Sequence, residues 1–262
     1  MGNKSKIIIY HLYRKDDSSL FLHPFEEDEK LVDTLEEAEV IGKYGREPRV
    51  EAMTMFRNEL YRVIENKVNN WISEVRFIPK FLISAGIFIA TYFILAFVIR
   101  DPLPMIDELA IGLAVSIGAF FLLGRRDRRS DMSLKKRVSL RSAVDKIHFR
   151  ADAFVKEVED ALQQAEEKSR DDIVESMFDP LKYPLTEEEK QDAEHLTRYL
   201  KRQFSSRDLK RKEKIISRIA KARKGGKSAN FLSSFGDVKK TDLPLFAVYT
   251  RIKRSFESAD SK

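Results

Sequence analysis

The residues of this chain that could carry chemistry are few, and the closest approach to a catalytic pattern is incomplete. Gly226, Lys227 and Ser228 form the Gly-Lys-Ser end of a phosphate-binding loop. That loop needs another glycine five residues before Gly226, because its backbone wraps closely around the phosphates. Lys221 stands at that position, and no apolar strand precedes it. The pattern therefore argues against nucleotide binding.

Metal ligands and nucleophiles show no useful spacing either. The chain has no cysteine, which excludes disulfides, thiolate nucleophiles and cysteine-ligated metals. The histidines are scattered, and no pair has the spacing of a zinc-binding helix; they are His11, His23, His148 and His195. We therefore expect a non-enzymatic protein that holds no cofactor and no metal.

Positive charge is the chemical feature that stands out. Residues 201–227 contain twelve bases and two acids, and residues 124–137 contain seven bases and two acids, in a chain whose net charge is only +6. We predict that bases of these two segments bind a lipid or a partner: Arg125, Arg126, Arg128, Arg129, Lys135, Lys136, Arg137, Lys210, Arg211, Lys212, Lys214, Arg218, Lys221, Arg223 and Lys224.

Basic segments of this kind have four interpretations. They bind anionic lipid headgroups, where each Lys or Arg contributes about 1 kcal/mol near the membrane surface. They bind an acidic partner, or the chain's own acidic segment at residues 26–39. Nucleic acid needs the same charge, but no recognition motif accompanies it, so it is disfavoured. The fourth interpretation is a charged face that contacts only solvent.

Two apolar segments predict where the basic segments lie. Residues 81–99 and 109–124 contain no charge, and the turn between them holds one base and three acids. A helix of nineteen residues rises about 28 Å, close to the thickness of a bilayer core. Because bases collect on the cytoplasmic side of a membrane, the sequence predicts a multi-pass protein of the cytoplasmic membrane with both termini in the cytoplasm. A buried hairpin in a soluble protein is the alternative.

Small residues within these segments predict how the helices pack. They recur four residues apart, which lets helix backbones approach closely; the predicted packing positions are Gly86, Ala90, Gly112, Ser116 and Gly118. Either the two spans pack on each other, or a second small-residue face binds another copy. In the alternative function of a pore or transporter subunit, Ser84, Thr91 and Ser116 would line a path.

Apolar spacing predicts that both spans continue as helices on the basic side. The steps from Leu140 to Ala165 alternate between three and four residues, as in a coiled coil, and residues 50–75 show helical spacing. We predict that these two helices pair antiparallel as a stalk. Pairing between two chains is the alternative.

The two ends of the chain predict a small additional module. Residues 6–13 and 19–25 have strand patterns, an acidic helix that stops at Gly45 would cover them, and residues 244–252 would add a third strand. Thr186 and Glu189 form a capping box that opens a helix burying Leu196, Tyr199, Leu200 and Phe204.

These predictions combine into a mainly α membrane protein, in which a two-span hairpin continues into a cytoplasmic antiparallel coiled-coil stalk with a small α+β or helical module. The expected domains are an N-terminal β-hairpin and acidic helix, a first stalk helix, a first span, a turn, a second span, a second stalk helix and a basic helical region: 1–47, 48–78, 79–100, 101–108, 109–124, 125–178 and 179–262. We expect an interaction or scaffold protein that contacts the bilayer and a protein partner or further copies of itself.

Overall fold

A computed structural model describes residues 6–98, 106–181, 186–224 and 242–259. The described residues are mostly helical, with ten helices and four strands. They divide into two compact units. The first combines residues 1–57 with residues 146–262, and the second contains residues 58–145. Residues near both ends of the chain therefore fold into one unit.

A four-stranded sheet forms the centre of the first unit. Its strands are β1 (Lys6–Tyr13), β2 (Ser19–Leu22), β3 (Glu39–Tyr44) and β4 (His148–Ala151), in the order β2-β1-β3-β4. β1 pairs antiparallel with β2 and parallel with β3, which pairs parallel with β4. Parallel neighbours need a long crossover connection, and the one between β3 and β4 contains the entire second unit.

Helices cover one face of this sheet and build the main core. They are α6 (Ala153–Glu167), α7 (Arg170–Ser176), α8 (Glu187–Arg202), α9 (Ser206–Lys224) and α10 (Leu243–Ala259). α10 is buried along most of its length, and Phe246, Val248 and Ile252 are fully inaccessible to solvent. The core also contains Tyr10 and Leu12, which alternate with the residues of β1 that face the other side.

The opposite face of the sheet carries an aromatic cluster. Phe56, in the first turns of α2 (Val50–Val75), stacks on Phe21 with ring centroids 4.4 Å apart. Phe149 of β4 meets both rings edge-on, at 6.2 and 6.3 Å. His11 lies beside Phe21 and Tyr13 and is fully buried. A short helix, α1 (Asp28–Thr34), connects β2 to β3.

The second unit is made of helices that pack in antiparallel pairs. α3 (Phe77–Val98) packs on α4 (Ile106–Asp127), and residues 58–75 of α2 pack on α5 (Asp131–Asp145). Leu60, Ile64 and Val68 line one side of α2 and are almost completely buried. Glu65 of α2 forms ion pairs with both Arg137 and Arg141 of α5 at 2.8 Å, so charged groups also join this pair.

Both α3 and α4 are long and apolar enough to cross a membrane. Each has 22 residues, so each rises about 33 Å. Only 11% of the apolar window of α3 and 6% of that of α4 are buried within the protein. Neither helix therefore resembles the core helix of a soluble domain, whose apolar residues are mostly buried.

The structure bears out part of the sequence-based secondary structure. β1 and β2 lie where the strand patterns predicted them. Thr186 and Glu189 form the expected capping box at the start of α8. α8 buries Leu196, Tyr199 and Leu200, and Phe204 is partly buried.

Three predicted elements were wrong. The acidic helix does not continue to Gly45, because residues 39–44 form β3, a central strand that pairs on both sides. Residues 244–252 belong to helix α10, whose apolar side chains are buried among other helices. The seam from Leu140 to Ala165 is not one helix, because β4 interrupts it between α5 and α6. A continuous second stalk helix over residues 125–178 is therefore excluded, and a coiled-coil stalk stays a prediction.

Gly45 marks a close approach between the end of β3 and the start of α6. A Cβ atom at this position would lie 2.6 Å from the Cα and 3.0 Å from the backbone nitrogen of Lys156. Backbone cannot move aside as a flexible side chain can, so we expect Gly45→Ala to destabilise the fold by about 1–3 kcal/mol. The midpoint of thermal unfolding of the full-length protein in detergent measures this effect. Gly86→Ala is the control, since no atom lies within 4 Å of its added methyl group, and an unchanged midpoint for Gly45→Ala would contradict the steric argument.

His11 makes the stability of the first unit depend on pH. Burial lowers the pKa of His11 from 6.5 to about 4. Between these two pH values, His11 binds a proton in the unfolded chain but not in the folded one. The free energy of unfolding is therefore unaffected by His11 above pH 6.5 and decreases as the pH falls towards 4. We expect a loss of about 2 kcal/mol between pH 7.5 and pH 5. Denaturation at both pH values, monitored by hydrogen exchange in β1, measures this loss of stability. His11→Phe should reduce the loss, whereas a substitution of the exposed His148 should not.

Candidate anionic-ligand interface at the basic end of the hairpin

Four arginines cluster where α4 ends. Arg125 and Arg126 lie in its last turn, and Arg128 and Arg129 follow in the turn before α5. All four are exposed, and none of them forms an ion pair with a carboxylate of the described residues. The opposite end of α4 begins with the acidic residues Asp107 and Glu108. The hairpin therefore has a basic end and an acidic end, as its sequence predicted.

Two grooves open among these arginines, both within the second unit. The first has a volume of about 400 Å³ and is formed by α2, the start of α3 and the end of α4; its lining is Asn69, Ile72, Ser73, Lys80, Phe120, Phe121, Gly124, Arg125, Asp127 and Arg128. The second, of about 760 Å³, is more open and lies beside Arg76, Arg126 and Arg129. Cations and aromatic rings meet in the first groove, which suits a ligand with a charged head and an apolar body.

The bases of α5 divide between exposed and structural positions. Lys135 is exposed. Arg137 is mostly buried, and its guanidinium donates to the Asn69 side chain and to the carbonyl oxygen of Arg128, both at 2.8 Å. Arg137 thus holds α5 against α2 and the preceding turn. We expected it to bind a ligand, and its hydrogen bonds show a packing role instead; Lys136, partly buried, has an interaction within the chain.

Helix α9 presents most of its predicted basic residues to solvent. Lys210, Arg211, Lys214, Arg218 and Lys221 are exposed, whereas Lys212 is buried with its Nζ atom 5.9 Å from the Phe246 ring centroid. Burial lowers the pKa of Lys212. Lys212 is therefore not part of an exposed basic surface. α9 is helical through Arg223 and Lys224, whose side chains lie outside the described residues.

The apolar stripe of α9 packs on the protein. Leu209, Ile216 and Ile219 are buried in the main core. Glu213 accepts hydrogen bonds from Tyr249 at 2.8 Å and from Lys253 at 3.0 Å. Burial raises the pKa of Glu213, but these two hydrogen bonds outweigh it and the net shift is downward. α9 is thereby fixed to α10, and its stripe is not free to enter a bilayer.

The small residues of the hairpin have two surroundings. The Ser116 hydroxyl donates to the carbonyl oxygen of Ser84 at 2.8 Å, and a Cβ on Gly112 would lie 3.3 Å from the Phe88 ring. These positions let α3 and α4 approach each other. Gly86 and Gly118 have no atom within 4 Å of a Cβ position, and Ala90 is exposed, so these three lie outside the α3–α4 contact.

A buried polar network in the first unit is a second place where chemistry is concentrated. The Lys43 ammonium of β3 binds Asp192 of α8 and lies 3.0 Å from Asp152, the residue that caps α6. The Tyr10 hydroxyl of β1 donates to the other oxygen of Asp192 at 2.7 Å. Burial, with the negative charge of Asp192, raises the pKa of Tyr10 well above its usual range. One cation thus joins the sheet to two helices.

Burial decides what this network can do. Lys43 is 4% exposed and Asp192 is 2% exposed, so a substrate in solution has no access to them. A similar contact lies nearby, where the buried Glu159 accepts from the backbone N–H of Tyr13 at 3.1 Å. Burial raises the pKa of Glu159 despite that hydrogen bond and the neighbouring Arg46. The network is therefore structural. Among the described residues, no group of three or more His, Asp or Glu side chains is arranged to hold a metal ion.

The sequence analysis did not single out Lys43, Asp192 or Lys80. Lys43 interrupts an apolar strand pattern, which is a weak signal, and its two acidic partners lie more than a hundred residues away. Lys80 directly precedes the first apolar segment, and nothing in its sequence neighbourhood indicates that it is buried. No protein-family model, curated protein or solved structure matches the chain.

Removing the Lys43 ammonium should destabilise the first unit strongly. Lys43→Met leaves the Asp192 and Asp152 carboxylates without their cation, and breaking a buried ion pair in this way costs about 3–5 kcal/mol. Denaturation of the full-length protein, monitored by hydrogen exchange in β1 and α8, measures the loss in the free energy of unfolding.

The matched control is Arg198→Met, which breaks an exposed pair with Glu194 at 2.7 Å and should cost less than about 1 kcal/mol. Adding Asp192→Asn to Lys43→Met should restore part of the stability, because it removes a stranded charge. Equal stability of Lys43→Met and the unmodified protein would show that the network does not hold the unit together.

Proposed function

We propose that the chain is a non-enzymatic interaction protein anchored in the cytoplasmic membrane by a two-span hairpin. The observation that carries this proposal is the exposure of α3 and α4, which leaves nearly all of their apolar surface without protein cover. Exposed patches of this size are not tolerated on soluble monomers. Lipid satisfies them, because both helices make their backbone hydrogen bonds internally.

The charges at the two ends of the hairpin support an orientation. Six cations line the two grooves at one end: Arg76, Lys80, Arg125, Arg126, Arg128 and Arg129. Asp107 and Glu108 lie at the other end. Basic residues next to a span favour the cytoplasmic side, so we place both termini there. The first unit and the basic face of α9 then share the compartment of the anionic leaflet.

The role of the first unit is to carry a partner-binding surface. The exposed bases of α9 project from a helix fixed rigidly to the core by Leu209, Ile216 and Ile219. Rigid cationic surfaces suit anionic headgroups or an acidic protein. We therefore propose a scaffold or assembly subunit that engages a protein partner or another copy at the membrane.

Hairpin packing weighs against the alternative of a pore or transporter subunit. Ser84 is almost completely buried and its carbonyl oxygen accepts from Ser116, so both residues lie within the contact of a single hairpin. They are not placed to line a path formed between several hairpins. We therefore retain the interaction protein as the proposal.

The absence of cysteine allows a direct test of the orientation. Single substitutions Asp107→Cys and Lys210→Cys each place one thiol at an exposed position on opposite sides of the proposed bilayer. In intact cells, a membrane-impermeant maleimide should label only Asp107→Cys, and Lys210→Cys should react only after permeabilisation. The unmodified chain controls for background.

Alkaline extraction of membranes completes this test. We expect the chain to stay in the membrane pellet, as an integral protein does. Release into the supernatant would overturn the membrane anchor, and labelling of Lys210→Cys in intact cells would overturn the orientation.

A further inference from the structure

Lys80 holds an unusual position at the base of α3. The residue is 6% exposed, and its side chain lines the 400 Å³ groove at the basic end of the hairpin. Its Nζ atom lies 4.5 Å from the centroid of the Phe120 ring and would be 3.5 Å from a Cβ on Gly124. The missing side chain at Gly124 thus lets the ammonium lie directly against α4.

Within the part of the chain that the structure describes, this ammonium has no anionic partner. No carboxylate of the described residues forms an ion pair with Lys80, although Asp127 lines the same groove. The Phe120 ring compensates part of the cost of burying a cation. It supplies no hydrogen-bond acceptor, and an ammonium has three donors to satisfy. The ammonium borders the groove, so an anion bound there would offset its charge and accept its hydrogen bonds.

The remaining lining indicates what kind of anion fits. Lys80, Arg125 and Arg128 supply three positive charges against the single carboxylate of Asp127, which gives a net charge of +2. Asn69 and Ser73 add neutral polar groups on the opposite wall. A phosphate carries several acceptor oxygens and matches a guanidinium well. The polar lining therefore suits a phosphate group better than a chloride ion.

The apolar lining indicates that this phosphate belongs to a lipid. Phe120 and Phe121 form part of the groove wall, and Phe121 is 71% exposed on the outer face of α4, next to Leu122. The groove thus opens from a cationic pocket onto the apolar surface that we propose to lie in the bilayer. A free phosphate would gain nothing from that surface, whereas acyl chains would cover it.

We propose that this groove binds the phosphate of one anionic phospholipid, with Lys80 as its central contact. The inference rests on the proposed membrane anchorage and adds to it a specific lipid site. The buried Lys80 ammonium and the Arg125 guanidinium hold the phosphate oxygens, and the acyl chains lie along Phe121 and the adjoining surface of α4. Such a lipid would fill the space between the base of α3 and the end of α4.

Native mass spectrometry of the full-length protein in detergent tests the site. The probes are the anionic phosphatidylglycerol and the zwitterionic phosphatidylcholine with identical acyl chains, so that only the headgroup differs. The unmodified protein should retain phosphatidylglycerol preferentially. Lys80→Met keeps the apolar stem but removes the charge, and it should weaken this preference about tenfold, as expected for losing one charge-assisted hydrogen bond. Arg125→Gln, at an exposed position, should also weaken the preference for phosphatidylglycerol. It replaces Lys80→Met as the test if that variant does not fold.

Lys146→Met is the matched control, because it removes the same charge from an exposed position directly after α5 and outside the groove lining. It should leave the preference unchanged. The inference is overturned if Lys146→Met weakens binding as much as Lys80→Met, which would indicate a diffuse surface charge. Full preference in both groove variants, or displacement of the lipid by inorganic phosphate at equal concentration, would also overturn it. Alkaline extraction is independent of the groove. If the chain stays in the membrane pellet but shows no lipid preference, only the lipid site is overturned and the proposed membrane anchor stands.

Discussion

Helices α3 and α4 present apolar side chains on almost every side. The need to keep that surface away from water constrains the rest of the chain. Each helix buries only the strip that faces the other, where Gly112 and the Ser84–Ser116 hydrogen bond allow close approach. A soluble domain would have to cover the remainder, and the second unit has no element that does so among its described residues. The proposed bilayer resolves this conflict, and it also explains why charged residues collect at the two ends of the hairpin and are scarce between them.

Lys43 and Lys80 show two different surroundings for a buried lysine. Lys43 lies between two carboxylates in the α+β unit, so its desolvation is offset by ion pairs inside the protein. Lys80 is as deeply buried but has only an aromatic ring against it. The first arrangement is complete in itself and stabilises a fold. The second lacks an anion, and a site that lacks one component of its own chemistry is where a ligand is expected.

The sequence predicted local features well where one physical signal dominated. The two long apolar helices, the charges at their ends and the capping box of Thr186 and Glu189 each depend on a few neighbouring residues. Residues 39–44 were wrongly predicted as helix because Leu31, Leu35, Ala38 and Ile41 have helical spacing. In the structure, Ile41 and Gly42 pair with strands on both sides. Residues 244–252 were wrongly predicted as a strand, because a short apolar run is typical of a buried helix as well as of a strand. The candidate site was predicted only as a cluster of arginines, since the burial of Lys80 depends on Gly124, more than forty residues away.

The course of the chain explains how one small sheet and a hairpin anchor belong to the same protein. β3 and β4 are parallel neighbours, and the crossover that such neighbours require is the hairpin itself with its flanking helices α2 and α5. Lengthening a crossover adds little entropic cost, because closure entropy grows only with the logarithm of loop length. The edge strand β4 can pair with β3 only after both passes of the hairpin have been made. Two chain connections therefore join the α+β unit to the hairpin, and completion of the sheet depends on the same segment that contains the two proposed spans.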